Sequence, residues 1–150
     1  MAHLIEKQLQ ALISDIHYPI SLLSNVSAFL NEVLEDVSWV GFYLYKDDQL
    51  ILGPFQGFVA CLEIPLNKGV CGRAASTKET QLVLDVHQFP GHIACDSRTN
   101  SEIVLPICIH NKLYGVLDID SLSTARFNKQ DQQLLEACVH IIEIRLTQIA

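Results

Sequence analysis

No run of about 18 consecutive apolar residues occurs in the chain, so nothing in it reads as a membrane-spanning helix. Basic residues are scarce: 10 Lys and Arg stand against 17 Asp and Glu, scattered rather than clustered, for a net charge of −7. That balance argues against nucleic acid or an anionic membrane as partner and suits a small-molecule ligand. The start, Met1-Ala2-His3-Leu4-Ile5-Glu6-Lys7, lacks the basic-then-apolar pattern of a secretory signal, which leads to the expectation of a cytoplasmic protein. With only 7 Gly and 5 Pro, and 49% hydrophobic residues, neither disorder nor a low-complexity array fits. There is no Cys-x-x-Cys pair, and the five cysteines are odd in number and irregularly spaced. In a reducing compartment they read as free thiols, metal ligands or redox groups rather than as structural bridges.

What is present fits one domain of 150 residues, long enough to bury a substantial core. Leu4, Ile5, Leu9, Leu12, Ile13 and Ile16 recur at helical spacing, and a second helix opens at Pro19 with Leu22, Leu23, Val26, Phe29, Leu30, Val33 and Leu34 as its stripe. From Val37 the period becomes two: Trp39, Gly41, Tyr43 and Tyr45 share one face of a strand, and Val40, Phe42 and Leu44 the other. Strands are expected over Leu50 to Phe55, with breaks or bends at Gly53-Pro54 and Gln56-Gly57, and over Val59 to Leu66, Gln81 to Val86, Glu102 to His110 and Leu113 to Asp120. Lys68 to Ser76 reads as a turn feeding a short helix with Cys71 in its first turn, where the helix dipole would favour a thiolate. Asn128 can cap a final helix carrying Leu134, Leu135, Cys138, Ile141, Ile142 and Leu146. Strands bounded by terminal helices indicate an α+β fold, with helices covering one face of a mostly antiparallel sheet.

The long polar loop from His87 to Asn100 is the strongest functional signal, because loops of about fourteen residues inside a compact domain usually carry function. Cys95 lies in it among polar neighbours, with His92 and Arg98 near enough in sequence to favour its thiolate, so it is the best nucleophile candidate. Cys108 and Cys138 sit in apolar strand and helix positions and read as core. Cys61 and Cys71 are either separate structural thiols or partners of Cys95, and spacing alone leaves both open. Asp118 and Asp120 project from one strand face about 6–7 Å apart at Cα. If enclosed, one of them should hold a proton and act as a general acid; if exposed, both are solvated strand-end charges. Glu102 carries the same two readings. Trp39 and Tyr43 are core aromatics or the wall of a site for a thioether or sulfoxide, since sulfur packs well near aromatic rings. Zinc held by Cys71, His87, His92 and Cys95 is disfavoured by their spacing, and no local signature marks a cysteine hydrolase.

Six segments in order carry a more specific signal: Trp39-Val40-Gly41-Phe42-Tyr43, Leu52-Gly53-Pro54-Phe55-Gln56-Gly57, Gly69-Val70-Cys71-Gly72, Gly91-His92-Ile93-Ala94-Cys95-Asp96, Asn100-Ser101-Glu102-Ile103-Val104-Leu105-Pro106 and Gly115-Val116-Leu117-Asp118-Ile119-Asp120-Ser121. Together, across residues 37–127, the chain resembles the free methionine (R)-sulfoxide reductases, which are built on a GAF domain. The resemblance implies one GAF domain over residues 1–150: helices in 1–35, a six-stranded antiparallel sheet with the site loops in 37–127, and a helix in 128–149. It implies Cys95 as nucleophile, Cys61 as the main resolving thiol and Cys71 as a further recycling thiol. Glu102, Asp118 and Asp120 become acidic pocket residues, and Trp39 and Tyr43 the aromatic wall. The implied reaction takes free, not peptide-bound, substrate through a cysteine sulfenic acid and an intramolecular disulfide, with no cofactor or metal. Thioredoxin is the implied reductant, and pairing of two copies through the terminal helices is a further expectation. The rival reading of the same fold is a non-catalytic GAF sensor that binds a small ligand.

Overall fold

Alternation along the first strand sets the architecture, because it sends Trp39 and Tyr43 into one apolar cluster and Val40 and Phe42 into another on the opposite side of the sheet. The computed structural model describes residues 2–93 and 95–149; Ala94, inside the Gly91–Asp96 segment, and the expected domain's end residues Met1 and Ala150 lie outside the described residues. The elements run α1 (Ala2–Ile13), α2 (Pro19–Val33), β1 (Trp39–Lys46), β2 (Gln49–Gln56), β3 (Glu63–Pro65), α3 (Gly69–Thr77), β4 (Gln81–Val83), a 3-10 turn (Val86–Gln88), β5 (Ser101–Ile109), β6 (Lys112–Ser121) and α4 (Lys129–Ile149). The strands form one six-stranded sheet in the order β3-β2-β1-β6-β5-β4, with every neighbouring pair antiparallel. This is the α+β arrangement expected from the sequence.

The larger core lies between the sheet and the terminal helices. Leu9 and Ile13 of α1, Leu22, Val26 and Leu30 of α2, and Leu135, Cys138, Ile142 and Leu146 of α4 meet Phe42, Ile103, Leu105, Leu117 and Ile119 from the strands. Cys138 is a buried packing residue, as expected, whereas Cys108 is only half-buried. Asn128 caps α4 reciprocally: its side chain accepts from the Asp131 amide at 2.9 Å, and Asp131 accepts from the Asn128 amide at 2.9 Å. No described helix is long and apolar enough to cross a membrane.

The smaller core, on the other face, is where α3 packs. It joins Val70, Ala74 and Ala75 to Trp39, Tyr43, Leu50, Val104 and Val116. Two expected strands are shorter here. Of Val59 to Leu66 only Glu63–Pro65 pairs, and of Gln81 to Val86 only Gln81–Val83. In the first case Phe58, Val59 and Leu62 are all exposed, so the stretch has no alternating buried face. Side chains of β1 hold this segment from its start: Trp39 Nε1 donates to the preceding Phe58 O at 3.1 Å and Tyr43 Oη to Cys61 O at 3.0 Å, while Leu62 O accepts from the Leu52 amide of β2 at 2.9 Å.

Gly53-Pro54 does not break β2. The register steps from Gly41 opposite Phe55 to Tyr43 opposite Leu52, so Gly53 and Pro54 together face Phe42 as a bulge, a place where a residue lacking an N–H is tolerated. Gly41 is required for a different reason. A Cβ there would collide with the Phe55 Cβ and lie 2.7 Å from the Trp39 ring, and Trp39 stacks on Phe55 with centroids 5.1 Å apart. Gly41→Ala should therefore lower stability by about 1–3 kcal/mol through overpacking. Denaturant unfolding followed by the fluorescence of the single Trp measures the loss, and an unshifted midpoint would contradict it.

Candidate active site

Antiparallel register lines up the polar residues in rows across β1, β6 and β5. Trp39 faces Asp120, and Asp120 faces Glu102; one row on, Gly41 faces Asp118, and Asp118 faces Val104. Residues directly opposite one another share a face, so three carboxyls gather on the α3 side of the sheet. Glu102 and Asp118 are only 7% and 5% exposed, yet Asp118 Oδ1 and Asp120 Oδ1 have no hydrogen-bond partner.

Burial, the charge of Asp118 and then that of Asp120 push the Glu102 carboxyl well above the usual range. Burial and the charge of Asp118 raise Asp120 in the same direction. The pair therefore stores protons at pH values where ordinary carboxylates have lost them. Two buried acceptor oxygens without a donor beside it form a socket for a cationic or proton-donating group.

The thiols come from three elements. Cys71 stands in the first turn of α3, as expected, but the helix N-terminus does not make it a thiolate. Complete burial, followed by the charges of Asp118 and Glu102, raises its thiol well above normal, and its Sγ lies 4.0 Å from Glu102 Oε2. The dipole effect, worth under about 2 kcal/mol, loses to desolvation beside negative charge. Cys61, from the loop between β2 and β3, and Cys95, from the loop before β5, form a disulfide with Cα atoms 5.4 Å apart across 34 positions.

His92 and Arg98 do not serve Cys95 in the expected way. Burial and the neighbouring His87 lower the His92 imidazole, leaving it neutral at pH 7. The Arg98 guanidinium is taken by Asp96, with Nε at 3.0 Å and Nη2 at 2.9 Å, and lies over the Phe58 ring. His87 hydrogen-bonds Asn100 through Nε2 at 3.0 Å. The grouping able to hold a cation is Cys71, Glu102 and Asp118, whose ligand atoms lie within 4.8 Å of one another, rather than the Cys and His set weighed from spacing.

All eight residues singled out in the sequence thus converge: Trp39, Tyr43, Cys71, Cys95, Glu102, Asp118 and Asp120 line one cleft, and Cys61 is bonded to Cys95 at its rim. Tyr43 has a second duty as the strut that fixes Cys61 O. With the disulfide closed the cleft encloses about 40 Å³, room for a water or two rather than for an amino acid. Lys68 and Thr99 also line it. They were not anticipated; Lys68 adjoins the Gly69-Val70-Cys71 motif, which was a usable signal, whereas the burial of Thr99 in a polar loop had none.

A curled antiparallel sheet with a redox-active cysteine pair over buried carboxyls defines a GAF domain of the thiol-dependent kind, and the GAF domain family model matches residues 9–146. The free methionine-R-sulfoxide reductase of Escherichia coli (strain K12) is 52% identical over 124 residues, covering 83% of this chain and 75% of that one. The reduced form of fRMsr of Staphylococcus aureus is 55% identical with a TM-score of 0.94, covering 97% of this chain and 94% of that one. The free methionine-R-sulfoxide reductase of Neisseria meningitidis, solved in complex with its substrate, is 38% identical with a TM-score of 0.95, covering 99% of this chain and 89% of that one. The chain belongs to the free methionine-R-sulfoxide reductase family.

The raised carboxyls have a measurable cost. Their folded-state pKa values exceed the unfolded values of about 3.9 for Asp and 4.3 for Glu. Their favourable contribution is complete below those unfolded values and is lost as pH rises through the raised ones. Asp120→Asn should therefore leave stability little changed near pH 4 and make the protein more stable than the unsubstituted chain as pH rises. Thermal midpoints across pH 4 to 8 test this, and a constant difference would refute it.

Proposed function

We propose that the chain reduces free L-methionine (R)-sulfoxide to methionine and is recycled through the Cys61–Cys95 disulfide. The observation that carries this reading is that disulfide closing over a cleft lined by Glu102, Asp118 and Asp120. A ligand-binding sensor would share the fold but would have no use for two thiols in bonding range.

The reaction follows from what each group can do. Opening of the disulfide frees its two loops and admits the substrate. The ammonium group sits against the unpartnered Oδ1 of Asp118, a charge-assisted contact that peptide-bound methionine sulfoxide cannot make. Lys68 supplies the cation for the carboxylate end, and Trp39 packs against the sulfur substituents. The Cys95 thiolate attacks the sulfoxide sulfur while Glu102 or Asp120 delivers a proton to the oxygen. The oxygen passes to Cys95 as a sulfenic acid, and methionine leaves with its sulfur reduced. Cys61 then condenses with the sulfenic acid, forming the S–S bond and releasing water. A dithiol opens that bond by exchange, giving two thiols and its own disulfide; thioredoxin has a suitably low potential. Cys71, in reach of the same carboxyls, is the reserve thiol for this recycling.

On this reading residues 1–150 form a single GAF domain working in the reducing cytoplasm, without cofactor or metal. Two copies pair through the terminal helices, a reading supported by Leu4 and Ile144, large apolar side chains left exposed on α1 and α4.

With dithiothreitol as reductant, the protein should turn over free L-methionine (R)-sulfoxide, and Cys95→Ser should fall to background. Pre-reduced Cys61→Ser freed of dithiothreitol should form one methionine per chain at the normal rate and then stall with a sulfenic acid that a dione reagent traps. Undiminished steady turnover by Cys95→Ser would remove the mechanism.

A further inference from the structure

Besides their disulfide, the two sulfur-bearing loops share a cation–π contact. Phe58, three residues before Cys61, receives the Arg98 guanidinium, three residues after Cys95, with its central carbon 3.9 Å from the ring centroid. Neither partner is left free to wander. The Phe58 carbonyl is fixed by Trp39 Nε1 at 3.1 Å. Arg98 is gripped three ways by Asp96, which accepts from its backbone amide at 3.0 Å, from Nε at 3.0 Å and from Nη2 at 2.9 Å. Both side chains are otherwise at the surface: Phe58 is 59% exposed. An aromatic ring that open to solvent contributes little to folding, so its fixed position under a cation calls for another reason.

Resting on the reductase reading above, we propose that Arg98 and Phe58 form a clamp that holds the Cys61 and Cys95 loops together, so that the sulfenic acid on Cys95 is met by the Cys61 thiol. Arg98 and Phe58 are positioning residues and touch no reacting atom. In the step they serve, the Cys61 sulfur attacks the Cys95 sulfur, the S–S bond forms, the S–O bond breaks, and the hydroxyl leaves as water with the Cys61 proton. Asp96 fixes the guanidinium plane. An exposed cation–π contact is weak enough to part when substrate enters and strong enough to bias the loops toward reclosure.

Single-turnover kinetics test the clamp. Reduced protein is mixed with free L-methionine (R)-sulfoxide, and methionine and the Cys61–Cys95 disulfide are quantified in parallel. Phe58→Leu should form methionine at the unsubstituted rate but the disulfide about two- to five-fold more slowly, the value of an exposed cation–π contact. Arg98→Gln should slow disulfide formation equally, the double variant should be no slower than either single one, and Phe58→Trp should retain the normal rate. Because the contact stabilises the closed loops, the equilibrium constant of the disulfide against a dithiothreitol redox buffer should fall about two- to five-fold in both Phe58→Leu and Arg98→Gln. Unchanged rates and equilibria, or defects that multiply in the double variant, would overturn the clamp. Failure of the reductase reading would appear separately, as absence of methionine with the unsubstituted protein, and the redox equilibrium would still decide the clamp.

Discussion

Three acidic side chains forced into one water-poor face of the sheet are the constraint on which the site depends. They cannot all ionise there, because each charge raises the free energy of the next and the surroundings screen little. Glu102 and Asp120 therefore keep protons, held by burial and by the neighbouring acids. Burial first, and the same acids second, keep Cys71 as a thiol and the Tyr43 phenol neutral, so that the phenol remains a donor to Cys61 O. One electrostatic arrangement thus fixes the protonation of four groups and leaves a cation-seeking socket at their centre.

Around that fixed floor the thiol pair belongs to the mobile half of the design. The carboxyls come from long central strands, whereas Cys61 and Cys95 come from loops at their ends. That division suits a cycle in which the acids must stay in place while one sulfur meets first a substrate and then another sulfur. The terminal helices, packed on the opposite face, stabilise the platform without entering the site.

Much of this was legible in the residues. The period-two pattern at Trp39–Tyr43 placed both aromatics on one side, and the one-residue gap between Asp118 and Asp120 placed both carboxyls together. What stayed hidden were consequences of burial and of distant partners. Cys71 was correctly located in a helical first turn, but the direction of its pKa shift was reversed by burial and by acids 31 and 47 positions away along the sequence, which no local pattern reveals. Val59 to Leu66 has strand-like composition, yet its first half is a loop: Val59 and Leu62 are exposed, and the Cys61 carbonyl is taken by the Tyr43 side chain rather than by a strand partner. Gly53-Pro54 looks like a break and is a bulge, since β2 resumes pairing beyond it. Arg98 promised help to Cys95 by proximity in sequence, and in space it serves Asp96 and Phe58 instead.

The hydrogen bond from Tyr43 to the Cys61 carbonyl ties together two properties that are otherwise separable. The ring shapes the chamber, and the hydroxyl sets where a sulfur travels. Drift at this position toward a plain hydrocarbon ring would preserve the chamber's outline and loosen the return stroke of the cycle. Descendants that lost the hydroxyl would remain good binders with poor turnover, an inheritable route from catalyst back to receptor.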